Sequence, residues 1–156
     1  MSQRITVAIV ASWFGTVLLC SCASTDPFSG IWKLDLEKSQ LPAPPPRSQT
    51  VHIQVDGMSI HLQEEIVSDK GERVTITADA RFDGKDYPVK GSEFADTVAY
   101  QRPDRNTIQG TGKKAGKVIV NETAVLSRDG KTFTTTYFET DASGKQATYV
   151  AVFDRQ

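Results

Sequence analysis

Alternating apolar and polar residues, broken at short intervals by Asp-Gly and related turn sequences, restrict this chain to antiparallel sheet. From Phe28 onward the hydrophobic period is that of a strand, and no long window carries a helical apolar stripe. The breaks read "VDGM", "SDKGE", "FDGK", "RPDRN", "KKAGK", "SRDGK" and "DASGK". Tight loops of this kind join antiparallel neighbours, so the elements are expected to follow one another as a meander.

Two hairpins can be registered from pattern alone. A turn centred on Asp56-Gly57 pairs Val55 with Met58, Ile53 with Ile60 and Val51 with Leu62 on an apolar face. Its polar face sets Gln54 against Ser59 and His52 against His61. A turn centred on Asp83-Gly84 pairs Phe82 with Lys85, Ala80 with Tyr87 and Ala78 with Val89, with Arg81 opposite Asp86. Further strands are expected in "TVAYQR", "TIQGTG", "KVIVNETAVL", "KTFTTTYFET" and "QATYVAVFDRQ", rich in Thr, Val, Tyr and Phe. The predicted fold class is all-β, an antiparallel meander of eight to ten strands closed into a barrel, with a β-sandwich as the alternative. Pro88 marks an edge or bulge. The segment "EKSQLPAPPPRSQ", residues 37–49, reads as a stiff connection across one barrel end.

The chain has 156 residues, enough for one domain, and a formal charge of −1. That balance disfavours nucleic acid as a partner, which would ask for a basic excess. The N-terminus differs from the rest. Arg4 precedes the uncharged run "ITVAIVASWFGTVLL", and the chain turns polar after Cys22, as in a secretory signal peptide. Leu19-Cys20-Ser21-Cys22 resembles a bacterial lipobox, which implies lipidation at Cys22 and loss of Cys20 with the signal. Cleavage after Ala23, giving a soluble exported protein, is the alternative. The expected organisation is a signal peptide at 1–21, a tether at 22–27 and a barrel domain at 28–156. The expected location is the bacterial envelope, lipid-anchored and facing the periplasm or the cell surface.

Gly30-Ile31-Trp32, heading the first strand, resembles the G-x-W of lipocalins and related calycins. The resemblance implies a Trp32 that plugs one barrel end and a basic residue from the last strand over its ring, here Arg155. The match covers the layout of the domain, but in motif only Gly30, Trp32 and Arg155. The second lipocalin signature loop and C-terminal helix are missing, as is the helix pair that follows the first strand of fatty-acid-binding proteins. "GIWKLDLEKS" with "FDGKDYPVKG" is similar to exported bacterial proteins described as lipocalin-like, which carry no activity to transfer. The resemblance implies a small barrel with an apolar cavity.

Inward positions are expected at Val51, Ile53, Val55, Leu62, Ile76, Phe82, Tyr87, Val98, Tyr100 and Phe153. Glu64 shares the parity of Leu62 and Ile66, and Glu122 that of Val120 and Ala124. Two readings follow for this pair. Both carboxylates point inward to meet a ligand with Tyr87 and Tyr100, or a bulge at "QEEIV" or a wet mouth spares them burial. His52 and His61 form at most a metal pair lacking a third strong ligand, so no metal is assigned. No catalytic motif or cofactor signature appears. The expected function is binding of a small apolar or amphipathic molecule. A non-catalytic interaction module with a side-chain-filled barrel is the alternative, and an enzyme acting on a bound lipid or sugar trails both.

Overall fold

The computed structural model describes residues 25–141 and 143–156. The expected signal peptide, Cys20 and the lipidation site expected at Cys22 lie outside the described residues. The strands are β1 (Gly30–Gln40), β2 (Ser48–Asp56), β3 (Ser59–Val67), β4 (Arg73–Arg81), β5 (Tyr87–Lys90), β6 (Thr97–Asp104), β7 (Thr107–Lys114), β8 (Lys117–Leu126), β9 (Thr132–Thr140) and β10 (Gln146–Arg155). Each pairs with its neighbours in sequence and β1 pairs with β10, closing one antiparallel barrel. Closure leaves no unpaired sheet edge, and it excludes the sandwich.

The β2–β3 register departs from the expected one by a small slide. The turn residues are Gly57 and Met58, so Asp56 pairs with Ser59, Val55 with Ile60 and Ile53 with Leu62. Gly57 takes a φ of +56° at the first central position, where a type II′ hairpin wants glycine. The slide moves partners without turning any side chain to the other face, so the apolar face survives intact. It does separate the histidines: His52 pairs with Gln63 and His61 with Gln54.

At Asp83-Gly84 the expected register holds for Ala78 with Val89, but the ladder stops there. Residues 82–86 form an open connection, with Gly84 N–H donating to Tyr100 O at 3.0 Å. Arg81 does not meet Asp86, whose carboxylate pairs instead with Lys113 Nζ at 2.8 Å. Pro88 lies in the shortest strand, which makes two pairs to each neighbour. The Pro-rich connection is also shorter than expected: β1 runs on to Gln40 and β2 begins at Ser48.

One end of the barrel is shut by aromatics. Trp32, Phe28 and Phe153 are buried almost completely. Phe133 sits among them, edge-on to Trp32 at 4.9 Å and stacked on Phe153 at 4.7 Å. The indole N–H of Trp32 donates to Phe28 O at 2.8 Å, fixing the incoming chain beneath the barrel. Arg155 pairs with Trp32 across β1 and β10, and its guanidinium lies 4.0 Å from the indole centroid. That guanidinium also donates to the carbonyls of Gly130 at 2.8 Å, Ser29 at 2.9 Å and Pro27. Asp26, on the N-terminal side of this plug, pairs with Arg102, which lies over Phe28 and Phe82.

Gly30 explains the first position of the G-x-W sequence. Its φ of +148° disfavours other residues, and a Cβ there would stand 2.6 Å from Arg155 Nη1. Gly30→Ala is expected to cost about 2 kcal/mol in urea unfolding, by strain and by displacing Arg155. A stability equal to that of the unaltered chain would show that the guanidinium is not held there.

Candidate functional site

Above the aromatic plug a cavity opens toward the other barrel end. Its main chamber has a volume of about 360 Å3, and a recess of about 40 Å3 extends it toward Phe28, Phe133 and Phe153. Small-molecule sites span about 300–1,000 Å3, so the chamber lies at the lower end of that range. Leu41 and Phe94 reach it from the loops around the mouth, and Phe94 is exposed.

Small residues form part of the chamber's wall: Ala78, Ala95, Gly112 and Ala151. Gly110 and Gly112 occupy inward positions, where a larger residue would project into the barrel. A Cβ on Gly110 would come within 2.7 Å of Glu122 Cγ, and one on Gly112 within 2.6 Å of Val120 Cγ1. The Glu122 side chain therefore lies across the bare backbone of its β7 neighbour, to which it is directly paired.

Glu64 and Glu122 both line the chamber and the recess. The ladders through Glu64 and Glu65 are continuous, so no bulge spares Glu64, and Glu65 takes the exposed face. β3 and β8 stand on opposite sides of the ring, so the two carboxyls approach the chamber from opposite walls. Gln49 Nε2 donates to Glu64 Oε2 at 3.4 Å, while the Glu122 carboxyl has no hydrogen-bond partner among the described residues. Burial pushes the Glu64 carboxyl up to about 7 from 4.5, partly offset by the Gln49 bond. Burial also pushes Glu122 up to about 7, reinforced by the negative charge of Glu64.

Tyrosines complete the polar lining. Tyr100, on β6, and Tyr137, on β9, have hydroxyls held well above their ordinary pKa, first by burial and then by the facing carboxylates. Tyr149, on β10, stacks on Tyr137 at 4.7 Å and donates its hydroxyl to Glu139 at the cavity's upper wall. Tyr137, Tyr149, Gln49 and Glu139 escaped the sequence reading, although their parity with Phe133, Phe153 and Val51 would have found them. Tyr87, expected in the cavity, does not reach it: its ring packs on the core's flank and its hydroxyl donates to Asp83 at 3.0 Å. His61 is instead hydrogen-bonded to Asp79 at 2.6 Å on an exposed face. Among the described residues no three His, Cys, Asp or Glu side chains gather as a metal site.

No family model matches the sequence, and no curated protein matches it. Solved structures do. The crystal structure of zebrafish ileal bile acid-binding protein complexed with cholic acid superposes with a TM-score of 0.53 at 15% identity. The match covers 83% of this chain and 99% of that one. At that identity the likeness establishes the fold alone, a closed antiparallel barrel.

Proposed function

We propose that this protein is a non-catalytic carrier or receptor for a small amphipathic molecule held inside the barrel. The observation that carries the reading is the chamber of about 360 Å3, apolar over most of its wall and polar at a few convergent side chains. A barrel serving only as an interaction module would be free to fill that space with inward side chains larger than Ala78, Ala95 and Ala151. The structural neighbour, a bile acid-binding protein complexed with cholic acid, supports the reading. Native mass spectrometry of protein purified without detergent tests the reading. A co-purified small molecule, lost on denaturation, is expected. Bare protein that also takes up no apolar probe would overturn it.

The same proposal places the protein in the bacterial envelope, tethered through a lipid on Cys22. Thr25, the first described residue, lies beside the β2–β3 turn and Arg105, at the plugged end of the barrel. A lipid three residues upstream would hold the plug toward the bilayer and turn the mouth away from it. Cys22→Ser is expected to move the protein from the membrane to the soluble fraction of an expressing bacterium. Unchanged membrane association would refute lipidation at that residue.

A further inference from the structure

The chamber's chemistry narrows its occupant, taking the binding reading above as its premise. Glu64, Glu122 and Glu139 line the chamber, and no Lys, Arg or His does so among the described residues. The carboxylates therefore have no counter-charge of their own. The Glu122 carboxyl lines the space with no hydrogen-bond partner among the described residues, and its oxygens keep accessible surface with which to meet a ligand's donor. Tyr100, Tyr137 and Tyr149 stand alongside, adding aromatic rings that attract a cation and oxygens that accept from one. Leu62, Ile76 and Val98 supply apolar wall for a tail.

The geometry points to a protonated amine with a short apolar tail as the occupant, its ammonium held between Glu64 and Glu122. An ammonium brings three donors and no acceptor, which suits a wall that presents acceptors. Its charge replaces the counter-ion that the barrel lacks, so the ion pair forms only when the ligand is bound. An anionic head would meet like charge on both sides and no base. A neutral head would gain the apolar contacts alone.

Competition for the neutral probe N-phenyl-1-naphthylamine tests this, using the full barrel at about pH 8, where carboxylates and alkylamines are both charged. Octylamine, octanol and octanoate present one tail with a cationic, neutral or anionic head. Octylamine is expected to displace the probe at about tenfold lower concentration than octanol, with octanoate weakest. In Glu64→Gln/Glu122→Gln the advantage of the amine over octanol should vanish while the probe still binds. Should the double variant not fold, Glu122→Gln alone carries the comparison. Octanoate equalling octylamine, or an amine preference untouched by substitution, would overturn the cationic assignment and leave the binding reading standing. Failure of the probe itself to bind would remove both.

Discussion

Trp32→Ala is expected to lower the unfolding free energy by about 4 kcal/mol, in the range measured for removing a buried tryptophan. For a domain of this size that corresponds to a fall in Tm on the order of 15 °C. The effect is large because Trp32 links several parts of the plug at once. It is completely buried, meets Phe133 edge-on, donates to Phe28 O and supports the guanidinium of Arg155. Arg155→Ala should approach the same loss, about 3 kcal/mol, since three carbonyls lose a charged donor. Equilibrium urea denaturation measures both. Trp32→Phe, which keeps an aromatic but no indole N–H, should fall between wild type and Trp32→Ala. Losses below about 1 kcal/mol would mean that this end of the barrel is not where stability resides.

The second large effect is a stability that declines as pH rises through neutrality. An unfolded glutamate releases its proton near 4.5, whereas Glu64 and Glu122 keep theirs until about 7 in the barrel. Between those values the native state holds protons that the unfolded chain has lost, so unfolding releases them and stability falls with pH. The stabilisation is complete below about 4.5 and is lost as pH rises through 7, at a cost on the order of 3 kcal/mol for each of the two groups. Of the groups facing the pair, Gln49 offsets part of the rise at Glu64, and Tyr100, Tyr137 and Tyr149, all held above their ordinary pKa, stay protonated across this window. Asp35, Asp83, Asp96, Asp129 and Asp141 are held below their usual pKa, so their contribution is lost only as acid pH falls beneath that window. Thermal denaturation from about pH 5 to 8 should show Tm falling for the unaltered chain, while Glu64→Gln/Glu122→Gln stays nearly flat. Matching slopes in both proteins would mean that the pair is not held away from water.

The two effects belong to opposite ends of one barrel. Rigid aromatic packing closes the plug, and the upper barrel keeps room and unpaired carboxylates at the expense of its own stability. A ligand that neutralises Glu64 and Glu122 would restore part of what their burial costs. Binding and pH stability thus draw on the same two side chains.

Side-chain parity was the most legible property of the sequence. Strand alternation assigned Val51, Ile53, Leu62, Val98, Tyr100 and Phe153 to the inside, where the structure has them. It assigned Glu64 and Glu122 to the same face, but period alone could not decide between a regular strand and a bulge. The answer lies in long-range ladders from β2 and β4 that no local pattern carries. Turn detail was less legible. Asp-Gly reads as the central pair of a hairpin, yet Gly57 with Met58 forms the β2–β3 turn, because glycine suits the first central position of one turn type and the second of another. The same reading of Asp83-Gly84 put Tyr87 in the cavity, whereas an open connection and a short β5 carry it to the flank. In "KTFTTTYFET", Tyr137 and Phe138 are adjacent aromatics, and only Phe133 as an anchor shows that Tyr137 faces in while Phe138 is exposed. The Asp26–Arg102 pair joins residues 76 positions apart and has no local signature.

Binding requires the chamber to be accessible space that takes a ligand. Fluorescence titration of the purified barrel with N-phenyl-1-naphthylamine tests that most directly, set beside Ala78→Phe, which replaces a small buried lining residue with a ring that fills the chamber. The expected result is saturable enhancement at one site per chain, abolished in Ala78→Phe while the circular dichroism of the folded barrel is retained. Absence of enhancement in the unaltered chain, or equal enhancement in a folded Ala78→Phe, would contradict it.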